Sequence, residues 1–258
     1  MKAQTYKNIE IIVVDNHSTD GSIERIREDF HEVKLIVMPD LFYGACETFN
    51  IGFVNATGKY TVVMDNDAML ERAWIDKNVK EFETDTVLGC IAGRVLNFYT
   101  NEDWGFRVYG LTDDWVKKEF YTTVFVGCSA MIRTDIFDEV GGYPKEYFLY
   151  HNEFALGAKI INAGYKIKYN PNTKAYHKVS QTQRHSKKGD YYGIRNWYWF
   201  VWQFYPLDLA VKHTLIRFVK IVHIGLRHPY TFLKAHLAAM SKLPAILVNR
   251  KPIKDRKL

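Results

Sequence analysis

Tyr60-Thr61-Val62-Val63-Met64-Asp65-Asn66-Asp67 is a short apolar run that ends abruptly in two carboxylates one residue apart. Its β-branched residues and the breaker Gly58 ahead of it predict a buried strand over 60–64. In open α/β sheets ligands bind at the carboxyl ends of strands, so Asp65 and Asp67 stand where a ligand would be met. Two carboxylates placed there repel each other and desolvate badly unless something cationic joins them. A divalent metal carrying a phosphorylated ligand meets that need, because hard cations take oxygen ligands and keep positions open for phosphate oxygens. The plainer alternative is a pair of loop aspartates capping a helix that starts near Glu71.

Working outward, Ile9–Val14 reads as a strand ending at Asp15. Asn16-His17-Ser18-Thr19-Asp20-Gly21 is turn and capping chemistry ahead of a polar helix at 22–30. A second strand, Lys34–Met38, stops at Pro39; a helix over 45–56 ends at Gly58, and another follows at 71–83. Strand and helix alternating at this rhythm predict βαβ units and a largely parallel sheet. Beyond Thr86 the pattern is mixed: a glycine-interrupted strand at 87–96, an irregular aromatic stretch at 97–120, a strand at 124–133 and a short helix at 134–140. A helix at 153–163 closes at Gly164, and short strands at 165–169 and 173–177 follow. From Asp190 onward the chain reads as helical.

At 258 residues and 47% hydrophobic, the chain can bury one substantial core. Cys46, Cys90 and Cys128 are odd in number and far apart, which suits a reducing compartment and a buried structural role. No leader is legible in the polar Met1–Asn8, and no run of about 18 apolar residues predicts a spanning helix. The +6 net charge is uneven: His185–Leu258 carries fourteen Lys and Arg against three acids, or +11, leaving −5 for residues 1–184. In the tail, Asn196–Tyr205 is densely aromatic. Over 207–226, Leu209, Leu215, Ile216, Val219 and Val222 alternate at helical spacing with His213, Arg217 and Lys220. A basic, aromatic, amphipathic helix set of this kind suits an anionic membrane surface; the alternative is a solvated basic face covering the sheet. No nucleic-acid module accompanies the basic tail, so nucleic-acid binding is not inferred.

Three blocks, in order, resemble the family 2 glycosyltransferases of GT-A fold. The first is Gln4-Thr5-Tyr6 with Ile9–Gly21. The second is Asn50-Ile51-Gly52, Ala56-Thr57-Gly58 and Met64–Asp67. The third is Gly141-Gly142-Tyr143, Phe148, Asn152-Glu153, Gly164-Tyr165 and His177. The resemblance covers residues 3–205. It implies an α/β, GT-A-like domain over 1–189, with a mixed, mostly parallel sheet flanked by helices, and a basic helical tail over 190–258. It also implies a metal-dependent (Mn²⁺ or Mg²⁺), inverting transfer of a hexose or deoxyhexose. The donor would be a nucleotide diphosphate sugar and the acceptor a growing, lipid-linked bacterial glycan. The enzyme would sit in the cytoplasm on the inner face of the plasma membrane.

Residue by residue, the resemblance puts Asp67 on the metal, Asp65 on the metal or the ribose with Asn66 between them, and His177 as a completing metal ligand. Asp15 would accept the base's imide N–H. Glu153 would be the general base that takes the acceptor hydroxyl's proton, although Asn152, Ala155 and Lys159 depart from the family's usual residues. Arg195, in an Arg-Asn element, would bind the diphosphate. The basic stretch Ser180–Gly189, with Arg184, His185, Lys187 and Lys188, would close over the donor phosphates. The family usually carries a further strand and helix before Gln4, with that strand beside Ile9–Val14 in the nucleotide pocket. Two rivals stand beside this reading: a non-catalytic remnant of such an enzyme, and a phosphatase using Asp65, which would want Thr or Val where Met69 stands.

Overall fold

A computed structural model describes residues 1–39, 43–106, 110–178 and 187–253. Two sheets form. In the first, β1 (Ile11–Asp15) and β2 (Val33–Val37) pair in parallel through α1 (Ser22–Asp29). The second contains β3 (Tyr60–Val63), β4 (Ala68–Leu70), β5 (Leu88–Asn97), β6 (Phe120–Thr122), β7 (Ala130–Arg133) and β8 (Lys166–His177). Its order is β3-β7-β5-β8-β4, with β6 also on β8. Helices α2 (Ala45–Val54), α3 (Trp74–Thr84), α4 (Thr134–Glu139) and α5 (Asn152–Asn162) flank the sheets, and α6 (Lys187–Phe204), α7 (Leu207–Arg227) and α8 (Pro229–Val248) complete the chain.

The mixed α/β architecture is as expected, but less of it is parallel. Among the described residues only β1/β2 and β5/β8 run parallel; the other four pairs are antiparallel. The alternation that argues for parallel pairing stops after α3. Strands β4, β6 and β7, of three or four residues each, then take antiparallel places. The strand expected over 124–133 forms only at its end, because Gly127–Ser129 turns as a 3₁₀ segment. The two short strands expected at 165–177 are one strand, β8, kinked where its register against β5 slips between Gly93 and Arg94. Pro171 sits in that kink without an N–H to donate. Gly93 is required opposite it, since a Cβ there would lie 2.8 Å from the Thr173 carbonyl oxygen and 2.4 Å from Ser129 Oγ.

β1 and β3 do not pair. Glu10 ties them instead, its Oε1 accepting the Thr57 and Gly58 N–H groups at 2.6 and 2.9 Å and the Thr57 hydroxyl at 2.8 Å. Among the described residues no strand occupies the β1 edge away from β2. That is the edge beside which the family resemblance sets a further strand.

One core crosses the boundary expected at residue 189. Phe53, Cys90, Ile132, Leu156 and Ile167 from the sheet side share it with Ile194, Trp199, Val201 and Phe204 of α6. The last two helices differ. α7 buries only Ala210 and Ile221, and α8 only Thr231, Ala235 and Ala239. Outward, α7 exposes Leu207, Val211, Leu215, Phe218, Val222 and Leu226, and α8 exposes Tyr230, Leu233, Leu237, Met240 and Leu247. These fall three, four or seven residues apart, so each helix carries an apolar stripe turned away from the protein. Contrary to the sequence expectation, α8 is by length and composition long and apolar enough to cross a membrane, an 18-residue window of its 20 residues having a mean hydropathy of 1.2. Its inner face nonetheless packs on α6, where Trp199 Nε1 donates to the Ala239 carbonyl at 3.2 Å.

Helix α5 lies unusually close to the chain leading out of β6: a Cβ on Gly157 would sit 2.4 Å from the Thr123 carbonyl oxygen. Backbone cannot retreat as a side-chain tip can, so overpacking here forces the helix outward. Gly157→Ala is expected to lower stability by about 1–3 kcal/mol in thermal or urea unfolding, despite alanine's better helix propensity. A variant as stable as the wild type would show that this contact is slack.

Candidate active site

The acidic turn follows β3, closed by the Ala68 N–H donating to the Asp65 carbonyl at 3.2 Å. Antiparallel register sets Ala68 of β4 opposite His177 of β8, and the Lys178 N–H donates to the Asp67 carbonyl at 2.9 Å. Sheet pairing thus delivers a histidine from far along the chain to the turn. Its Nε2 lies 3.1 Å from Asp67 Oδ1 and 3.8 Å from Asp65 Oδ2. The ring stacks on Trp104 with centroids 4.6 Å apart, which fixes its plane. Asn66 is exposed between the two carboxylates.

Cys128 belongs to this corner too. Its sulfur, an Asp65 oxygen and a His177 nitrogen lie within 4.8 Å of one another. All three cysteines are buried, as expected, but only Cys128 adjoins the acidic turn. Nothing in its spacing announces this, because the 3₁₀ segment that places it reads as strand in the sequence. Burial raises its thiol pKa, and the Asp65 and Asp67 charges add to the effect, so it stands as a neutral thiol. Burial likewise raises the pKa of Asp65; His177 opposes the shift and Asp67 reinforces it. Two crowded carboxylates with an imidazole against them form a hard donor set short of positive charge, which fits a divalent cation.

Glu153 is the second residue of α5. Its carboxylate rests on Gly127, where a Cβ would come within 2.9 Å of Oε1. The Gly127–Ser129 turn therefore touches Glu153 at one residue and meets Asp65 and His177 at the next. Burial pushes the Glu153 pKa up from 4.5 to about 7 and the negative charge of Asp65 adds to this, while its own N–H and the Asn152 side chain pull the other way. A buried carboxyl poised near neutrality is suited to accepting a proton.

The other expected residues fare differently. Asp15 is buried at the end of β1, where its Oδ1 accepts the Ser18 N–H at 2.8 Å. That bond shapes the turn and leaves a second oxygen for a ligand. Arg195, expected on the diphosphate, is engaged within the protein. It is buried, its Nη2 donates to the Glu146 and Tyr147 carbonyls at 2.8 and 3.1 Å, and its Nε donates to Asn196 Oδ1 at 2.9 Å. The guanidinium also lies under the Trp199 ring, 4.2 Å from its centroid. Of the expected basic loop, Arg184 and His185 lie outside the described residues, whereas Lys187 and Lys188 form the first turn of α6.

The family model for glycosyl transferase family 2 matches residues 1–141. The chain belongs to this family. The O-antigen chain rhamnosyltransferase WbaN of Salmonella anatum is 24% identical over 211 residues, covering 75% of this chain and 66% of that protein. The UDP-Glc:alpha-D-GlcNAc-diphosphoundecaprenol beta-1,3-glucosyltransferase WfaP of Escherichia coli is 25% identical over 178 residues, covering 69% of this chain and 68% of that protein. The chain spans 17% of the Streptococcus pneumoniae glycosyltransferase GlyA, to which it is 30% identical over 129 residues. Among solved structures, GalNAc-T7 with UDP, GalNAc and Mn²⁺ aligns with a TM-score of 0.60 at 16% identity, covering 77% of this chain and 42% of that one. The mannosyltransferase PcManGT of Pyrobaculum calidifontis, with GDP-Man and Mn²⁺, aligns at 0.55 and 20% identity, covering 95% and 69%. The fold is that of the GT-A glycosyltransferases.

Two outcomes follow from the placement of Glu153. A methyl group on Gly127 displaces the carboxylate, and an ångström of misplacement costs about 100-fold in rate. Gly127→Ala is therefore expected to lower turnover by that order with little change in melting temperature; unchanged turnover would remove Gly127 from the site. The raised pKa also costs stability. The folded protein holds the Glu153 proton up to about pH 7 while the unfolded chain releases it near 4.5, so the stability tied to the bound proton is complete below 4.5 and is lost as pH rises through 7, above which the cost stands in full. Glu153→Gln should gain about 3 kcal/mol on wild type between pH 4 and pH 8. A gain independent of pH would mean that the carboxyl titrates normally.

Proposed function

We propose that this protein transfers a sugar from a nucleotide diphosphate donor to a hydroxyl of a bacterial glycan acceptor, with inversion and with the help of a divalent cation. One observation carries the reading: Glu153 and the Asp65/Asp67/His177 corner meet across the single Gly127–Ser129 turn. On this reading the acceptor hydroxyl and the sugar anomeric carbon would meet between the acidic turn and Glu153.

Asp65, Asp67 and His177 would hold the cation, Mn²⁺ or Mg²⁺, which when bound offsets the charge developing on a departing diphosphate. His177, kept in plane by Trp104, orients the carboxylates beside it. Asp15 would accept the imide N–H of the base, and Asn66 would reach the donor from its exposed position. Glu153 would take the proton from the acceptor hydroxyl as the oxygen attacks the anomeric carbon from the face opposite the diphosphate. Direct attack on that face inverts the configuration. The Mn²⁺-bound complexes of GalNAc-T7 and PcManGT support a metal-assisted reading.

For the acceptor, the names of WbaN and WfaP point to O-antigen chains and to a sugar on diphosphoundecaprenol. A lipid-linked acceptor calls for an enzyme at the membrane. The apolar stripes of α7 and α8, with Lys212, Lys220, Arg227, Lys234 and Lys242 on the same helices, suit a bilayer interface carrying anionic lipid. On this reading the protein works in the cytoplasm on the inner leaflet. Because α8 is bound to α6 along its inner face, the helices would lie in the interface rather than cross it.

Glu153→Gln should lower transfer about 10²–10⁴-fold and Asp67→Ala should abolish it, measured as nucleoside diphosphate release from a panel of UDP-, dTDP- and GDP-linked sugars. Far-ultraviolet circular dichroism should be unchanged. Wild-type kcat/KM should rise about tenfold per pH unit up to about 7 and then level off, as for a base active when deprotonated. Wild-type activity in either variant, or a rate falling with pH over that range, removes the role assigned to that residue. Leu215→Glu with Leu237→Glu should release the protein from phosphatidylglycerol-containing vesicles in flotation; continued flotation would place the membrane contact elsewhere.

A further inference from the structure

Residues 146–151, the segment that leads into Glu153, have an unusual backbone. Phe148, Tyr150 and His151 all take positive φ, at 65°, 65° and 59°, though none is glycine. At Phe148, ψ is −58° and the Leu149 N–H donates to the Tyr147 carbonyl at 2.7 Å, a γ-turn of the strained kind. Such conformations persist only where the surroundings hold them.

The hold comes from two adjacent side chains on α6. Arg195 Nη2 donates to the carbonyls of Glu146 and Tyr147 at 2.8 and 3.1 Å. Asn196 Nδ2 lies 2.8, 2.6 and 3.0 Å from the carbonyls of Tyr147, Leu149 and Tyr150. Arg195 Nε donates to Asn196 Oδ1 at 2.9 Å, so the amide's orientation is fixed: oxygen toward the guanidinium, nitrogen toward the loop. Both side chains are buried. Gly44 also abuts the same loop, since a Cβ there would sit 2.5 Å from the Phe148 oxygen. Tyr192 of α6 stacks on the Phe148 ring at 4.9 Å.

We propose that Arg195 and Asn196 are positioning residues for Glu153: they grip four carbonyls of the strained 146–151 turn and so set where α5 begins and where its second residue points. The inference rests on the proposed role of Glu153 as base. It replaces a direct diphosphate contact for Arg195 with an indirect effect on the carboxylate. Arg195 makes these bonds from two separate nitrogens, Nε and Nη2, a spread that the single nitrogen of an ammonium group does not reproduce, so Arg195→Lys loosens the grip while keeping the charge.

The test is a double-mutant cycle of Arg195→Lys and Glu153→Gln, with nucleoside diphosphate release as rate and calorimetric binding of UDP or GDP with Mn²⁺ as affinity. Arg195→Lys is expected to lower kcat about 100-fold while leaving nucleotide affinity within twofold, which also shows that the variant is folded. In the Glu153→Gln background the same change should cause no further loss, because residues that act as a unit are not additive. Unchanged kcat, a tenfold loss of nucleotide affinity, or full additivity would each overturn the proposal; the second outcome would return Arg195 to the diphosphate. If Glu153→Gln alone keeps wild-type kcat, it is the base assignment that fails, a result the cycle separates from failure of the grip.

Discussion

The constraint on which the site turns is an excess of negative charge in a confined place. Asp65 and Asp67 crowd one turn, Glu153 lies against Gly127 beside it, and the His177 imidazole sits against the two aspartates. Burial raises the proton affinity of both Asp65 and Glu153. Arrangements of this kind are costly to fold around and persist where binding or chemistry draws on them. On the proposed reading, a cation on one side of the turn would relieve the aspartates, while on the other the same negative surroundings would keep Glu153 basic enough to accept a proton.

The fold brings these groups together by sheet register rather than by sequence proximity. Strand β3 ends at the aspartates, β8 bends at Asn170–Thr173 so that its last residue reaches β4, and α5 is pressed against the sheet by the absence of a side chain at Gly157. Helix α6 then completes the core and reaches back to the turn before α5. The tail predicted as an appendage is thereby built into the catalytic domain at α6, while α7 and α8 stay peripheral and display their apolar residues outward.

Much of this was legible in the chain. The first three strands and their helices follow from apolar runs, capping residues and glycine stops, and the acidic turn sits at the strand end where it was expected. The position of Glu153 at the start of a helix was also readable. Three things were not. The reversal at Gly127–Ser129 hides inside what reads as a strand, so Cys128 is not recognisable as a neighbour of the aspartates. Pairing of β8 with β4 is a long-range choice that local pattern does not encode, so His177 could be placed only through family resemblance. Arg195 looks like an anion ligand because arginines at such sites often are; its use on carbonyl oxygens depends on positive φ values at Phe148, Tyr150 and His151 that no residue type there advertises.

The most direct test of the central claim is calorimetric titration of the protein with a nucleoside diphosphate, UDP or GDP, in the presence and absence of Mn²⁺. Saturable heat that requires Mn²⁺ and disappears in His177→Ala is the predicted result. Binding that is indifferent to the metal, or no binding with either nucleotide, would contradict the view that the acidic corner exists to receive a cation and the diphosphate it carries.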